Sequence, residues 1–168
     1  MRRTLLLVLG GFLAPTIAAL LILGAEDDGP RQNLDTFSNV NFPFEFKYPD
    51  DFKAASAEGK IPALSLDGSN AITVRRLEED VPASGLSAYV AQLLVDQAAE
   101  SHTERRAGLD MVSARVPREV GTGTAESLLY FFTARGGTYQ IECQFTPKRG
   151  RQVVRACRRA VRTLDFTE

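Results

Sequence analysis

The chain has 168 residues, with 20 basic and 21 acidic side chains and a formal net charge of −1. A balance so close to neutral excludes a nucleic-acid binder held by overall charge, and the length allows one domain with a real hydrophobic core. Charge is nevertheless unevenly placed: Lys148, Arg149, Arg151, Arg155, Arg158, Arg159 and Arg162 fall within fifteen residues, with no acid among them.

The first predicted element is a membrane span. Arg2 and Arg3 precede an uncharged, mostly apolar run over residues 4–24, and Glu26, Asp27 and Asp28 follow it. As a helix the run measures about 31 Å, enough to cross a bilayer core. Basic residues before it and acids after it predict a cytoplasmic N-terminus and an outward-facing domain. An uncleaved signal-anchor over residues 1–24 is favoured over a cleaved signal, which would give a secreted protein. Leu23 fits poorly three residues before Glu26, and cleavage after Ala18 would leave an apolar new terminus. Residues 25–41 are polar, contain Gly29-Pro30 and show no periodicity, so they read as a tether. The extracytoplasmic domain is placed at residues 42–168.

That domain opens with Phe42, Phe44, Phe46 and Tyr48 alternating with polar residues and Pro43, the pattern of a half-buried strand. Short strands are predicted near residues 63–66 and 71–77 around the turn "DGSN". In "SGLSAYVAQLLVDQAAE", Leu86, Tyr89, Val90, Leu93, Leu94 and Ala98 recur at helical spacing, with Ser84 or Ser87 as N-cap. Two hairpins follow: "SHTERRA" and "MVSARV" around "GLD", then "SLLYFFTA" and "TYQIECQF" around "RGG", where Gly136 and Gly137 tolerate positive φ. In the last strand Tyr139, Ile141, Cys143 and Phe145 share one face, and Gln140, Glu142 and Gln144 the other. A final helix closes the chain near Thr163. The order β-β-β-α-β-β-β-β-α implies an α+β fold, a mostly antiparallel sheet of about six strands flanked by helices and preceded by one N-terminal transmembrane helix.

The two cysteines of the chain, Cys143 and Cys157, lie on the last strand and last helix. Val153, Val154, Cys157, Ala160, Val161 and Leu164 fall on one side of that helix, and Arg151, Arg155, Arg158, Arg159 and Arg162 on the other. Both cysteines therefore point at the core, and a strand followed at once by a helix packed over it brings them within disulfide reach. A zinc site would need more ligands, and a redox thiol would need exposure. The arginine face reads either as a solvated face paired with acids elsewhere on the domain, or as a docking surface for an acidic partner or anionic lipid.

Other candidates carry little chemistry. His102 has no nucleophile motif beside it and reads as an exposed strand residue. Gly121–Thr124, "GTGT", lacks the Gly-Lys-Ser/Thr ending of a phosphate loop and reads as a mobile loop. Asp50-Asp51 and Glu78-Glu79-Asp80 lack the alternating oxygen ligands of a calcium loop. No metal or cofactor is expected. No nucleophile–base set points to a hydrolase or redox enzyme.

The opening "FEFKYPDDF" resembles the first strand, F-x-F-x-Y-P-x-x-(W/F), of PsbP-like domains, including the small secreted LpqN-type and DcrB-type proteins. The middle helix "SAYVAQLL", the strand in "GGTYQIECQF", the closing "VRTLDF" and the cysteine pair are similar as well, over residues 42–166. Phe52 stands where many relatives carry Trp, and a membrane helix replaces the lipoprotein cysteine. The resemblance implies an antiparallel sheet between helices and a non-enzymatic accessory or binding role in a membrane complex, with no catalytic residues to transfer. The leading expectation is a membrane-anchored accessory domain with a membrane-complex protein as partner. The alternative is a lipid or small-ligand binding protein of the envelope.

Overall fold

Phe44, Phe46 and Tyr48 alternate with Glu45 and Lys47, and that pattern folds into strand β2 (Phe44–Pro49) with the three aromatic rings buried. The computed structural model describes residues 32–166 except 58–60, 98 and 121–122, so the predicted membrane span lies outside the described residues. Among the described residues no helix is long and apolar enough to cross a membrane.

β2 is the centre of a three-stranded antiparallel sheet, between β1 (Leu34–Phe37) and the short β10 (Asp165–Phe166). β1 departs from the sequence reading, which placed these residues in the tether. Three of its four side chains are exposed, so it has no amphipathic signature. Its pairing along β2 and the stacking of Phe37 on Phe46, centroids 4.7 Å apart, hold it.

The second sheet has seven strands, all antiparallel, in the order β3 (Lys53–Ala57), β4 (Ile61–Asp67), β5 (Asn70–Arg76), β9 (Gly137–Phe145), β8 (Gly123–Ala134), β7 (Leu109–Val120), β6 (Glu100–Arg106). The sheet expected to have about six strands has seven, and the seven strands of the predicted order become ten among the described residues, in two sheets. The additions are β1, β3 and β10. β3 reads "KAASA", small residues without an apolar period, and is defined by its backbone ladder to β4. Gly123 and Thr124, read as loop, belong to β8 and pair with β7.

Two turns reverse the chain through left-handed backbone, at Ala107-Gly108 (φ 47° and 77°) and Arg135-Gly136 (φ 46° and 73°). Paired positive φ values match the strand twist in two-residue hairpins. The predicted Gly136-Gly137 pair is thus shifted by one residue. Gly137 is needed for space: a Cβ there would lie 2.6 Å from the Tyr139 hydroxyl.

A 3-10 turn (Ala83–Gly85) leads into α1 (Leu86–Leu93). Gly85 stands at the N-cap and no side chain bonds the free amides there, so neither Ser84 nor Ser87 plays the expected capping role. The preceding 3-10 turn brings the chain in through backbone bonds such as Gly85 N–H to Pro82 O at 2.8 Å. Leu86, Val90 and Leu94 bury against Val112, Ala114, Val116, Leu129 and Phe131 on one face of the large sheet. The other face carries the main core, where Phe44, Phe132, Tyr139, Ile141 and Cys143 meet Val153, Cys157 and Val161 of α2 (Gly150–Arg162).

The alternating polar set of β9 is not a solvent face. Gln140 is fully buried and accepts two hydrogen bonds from Arg75, at 3.0 and 2.7 Å. Glu142 accepts from Ser127 Oγ at 2.6 Å and faces Arg118, which also donates to Gln97 beyond α1 at 2.9 Å. The chain of bonds crosses β5, β9, β8 and β7 beside α1. Glu142→Ala would leave the fully buried Ser127 hydroxyl without its acceptor and Arg118 with Gln97 alone, and is expected to destabilise by about 1–3 kcal/mol. Glu142→Gln, which retains an oxygen, should lose less; equal losses in urea unfolding would refute an acceptor role.

Candidate functional site

β9 runs straight into α2, and the two are bonded through Cys143–Cys157 with Cα atoms 6.1 Å apart, both residues fully buried. The inward turn of both cysteines follows from the two periods, two along the strand and 3.6 along the helix. At its far end α2 is tied to β2: Thr163 Oγ1 accepts from Lys47 N–H at 2.9 Å and donates to Arg159 O at 2.9 Å. Gln152, near the start, donates to Asp51 at 2.6 Å. The helix is therefore fixed over the sheet along its whole length.

This fixes the arginines too. Arg151, Arg155, Arg158 and Arg162 are exposed, and Arg159 is half-buried. Arg149 stands 4.0 Å from Asp67, and the carboxyl of Asp67 is held below its ordinary value first by the hydrogen bond from Asn70. Arg151, Arg155 and Arg158, in contrast, have no ion pair with any carboxylate among the described residues. The acidic clusters Asp50-Asp51 and Glu78-Glu79-Asp80 form no ion pair with them; Asp80 binds Arg76 at 2.8 Å.

Arg158 and Val154, one turn apart on α2, form one wall of an open groove of about 390 Å³. The opposite wall is the outer strand β6, where Glu100, His102, Glu104 and Arg106 alternate onto one face. The floor is Ser113 of β7 with Leu128 and Tyr130 of β8. The register aligns His102 with Ser113 and Ser113 with Tyr130, one residue from each of three strands. Glu104 and Arg106 pair at 2.8 Å. Burial pushes the Tyr130 hydroxyl above its ordinary value and Glu104 adds to this, while the positive charges of Arg158 and Arg106 pull it back. A second hollow of about 350 Å³ continues the groove past Glu100 and Arg115 to Pro117 and Glu126. There Arg115 faces Glu126 at 3.2 Å, though without hydrogen-bonding geometry to that oxygen.

Of the residues singled out in the sequence, the cysteines are bonded and Arg158 enters the groove, while Arg151 and Arg155 stay on the solvent side of the helix. His102 is an exposed strand residue, and the groove gives it neighbours. Sequence reasoning missed Glu100, Glu104, Ser113 and Tyr130 as groove residues. The alternation in "ESHTERR" was the available signal for the β6 wall.

No family model matches the sequence, and no curated protein does so. Solved structures do. CyanoP, the cyanobacterial PsbP of Synechocystis, superposes with a TM-score of 0.55 at 13% identity, covering 86% of this chain and 98% of CyanoP. LpqN of Mycobacterium tuberculosis gives a TM-score of 0.56 at 9% identity over 82% of this chain and 93% of LpqN. A Bacteroides thetaiotaomicron crystal structure gives 0.60 at 10% identity over 79% of this chain, which spans about half (48%) of that larger protein. The fold is PsbP-like, as the aromatic opening strand and the closing helix implied.

Proposed function

We propose that the chain is a membrane-anchored, extracytoplasmic, non-catalytic domain that docks on or helps assemble a protein complex of the cell envelope. The observation that carries this reading is the PsbP-like fold, shared over nearly the whole length of CyanoP and of LpqN, the latter a protein involved in cell envelope biogenesis. The sequence supports it with the apolar run at residues 4–24 and its flanking charges. The buried Cys143–Cys157 disulfide supports an oxidising compartment.

Three measurements on the full chain test it. The protein should stay with membranes after alkaline carbonate washing, and added protease should digest the domain from the outer side of intact cells. Thiol labelling should find both cysteines blocked until a reductant is added. Extraction in mild detergent should yield a species larger than the monomer, containing the same partner in repeated preparations. Recovery as a lone monomer under several mild detergents would overturn the docking role.

A further inference from the structure

Arg158 brings a positive charge to the groove wall and has no carboxylate partner among the described residues. The ionisable side chain nearest to it on the floor of the groove is a neutral one, Tyr130. A guanidinium offers five N–H donors in a planar fork, so most of this fork is uncommitted. The Tyr130 hydroxyl lines the same groove and carries a proton that it can donate. His102, in the same cross-strand row, lines the same space and adds an imidazole N–H. The groove's two acids, Glu100 and Glu104, face three arginines, Arg106, Arg115 and Arg158, and Arg106 holds Glu104 at 2.8 Å. The local balance at this end is therefore positive.

We propose that this end of the groove is a binding site for a phosphate-class oxyanion, held by the Arg158 guanidinium, the Tyr130 hydroxyl and His102. Donors converging from a helix and two strands suit a tetrahedral group with three outward oxygens better than a planar carboxylate with two. The groove continues past Ser113 toward Glu100 and Arg115, which leaves room for an organic substituent on the phosphate. A soluble phosphate ester and a phospholipid headgroup present this same chemistry. The site stands independently of any protein partner of the domain.

Calorimetric titration of the full-length protein in non-ionic detergent, at constant ionic strength, tests the proposal. The probes are inorganic phosphate, glycerol 3-phosphate, acetate, and dihexanoyl-phosphatidylglycerol below its micellar concentration. Saturable binding of a phosphate probe in preference to acetate is expected. Arg158→Gln should weaken it about tenfold or more, as for loss of a charge-assisted hydrogen bond. Tyr130→Phe should weaken it several-fold while preserving the packing of the ring. Arg76→Gln, which removes the same charge from β5, should change it less than about twofold. Tighter binding of glycerol 3-phosphate assigns the site to a soluble ester, and tighter binding of the short-chain lipid assigns it to a headgroup. Absence of saturable binding to every phosphate probe would overturn the proposal. So would equal weakening by Arg158→Gln and Arg76→Gln, the mark of diffuse charge attraction. Unfolding curves of each variant confirm that the fold is retained; because Arg158 is exposed, its variant keeps the test open if Tyr130→Phe does not fold.

Discussion

Phe44→Ala is expected to cost about 3–5 kcal/mol of stability, read as a shift of the urea midpoint followed by far-ultraviolet circular dichroism. The ring is 1% exposed and is the meeting point of the small sheet with the large one. Phe132 and Tyr139 of the large sheet both lie 5.3 Å away, centroid to centroid, in edge-on arrangements. Phe42 and Phe166 complete the cluster at 5.6 and 6.1 Å. These neighbours come from four separate segments, each held by its own backbone, so the cavity has little means of collapsing. Phe42→Ala, at a half-buried position, should lose distinctly less. A loss below about 1 kcal/mol for Phe44→Ala would show that the site can relax and that the aromatic cluster is not the joint between the sheets.

Replacing both cysteines with alanine is expected to cost about 3 kcal/mol through loop-closure entropy, given the sequence separation of 14. The cost should appear as a lower denaturation midpoint with the fold preserved. α2 keeps its apolar contacts through Val153, Ala156, Ala160 and Val161, all of them buried. Reduction of the wild-type protein should reproduce the shift once denaturant exposes the bond. Because both sulfurs are inaccessible in the folded state, reduction without denaturant should be slow. A double variant as stable as the wild type would mean that the denatured chain is already restricted in this region.

Where side chains repeat with a clear period, the elements were legible in the sequence. The Phe44–Phe46–Tyr48 alternation, the helical spacing through Leu86, Val90 and Leu94, and the two faces of α2 each specify an element and its buried side. The disulfide followed from combining two such periods. What escaped had no period to read. β1 buries only Phe37, β3 consists almost wholly of alanine and serine, and β10 has two residues. All three exist because a partner strand offers a ladder, a tertiary effect that overrides local preference. β9 was legible only in part: its alternation gave a polar face, and the placement of Arg75 on β5 and Arg118 on β7 shows that face as an internal network. The groove was hidden for the same reason. Tyr130 reads as one aromatic in an apolar strand until the β6–β7–β8 register sets His102 and Ser113 beside it and α2 brings Arg158 over it.

The pairing of β10 with β2 has a consequence for how the molecule is made. Asp165 lies opposite Glu45 and Phe166 opposite Phe44, so the last described residues finish a sheet whose central strand is near the start of the domain. A chain that emerges N-terminus first presents the Phe44–Tyr48 strand long before its second neighbour exists. The other wall of the core, α2, also comes from the C-terminal end. Two of the eight strand pairings among the described residues, β2 with β10 and β5 with β9, join distant segments, so the core closes only once the α2 and β10 segments have been made. Until then an aromatic strand stays open to any passing edge, and the stretch most in need of shielding during biogenesis is the one that opens the domain.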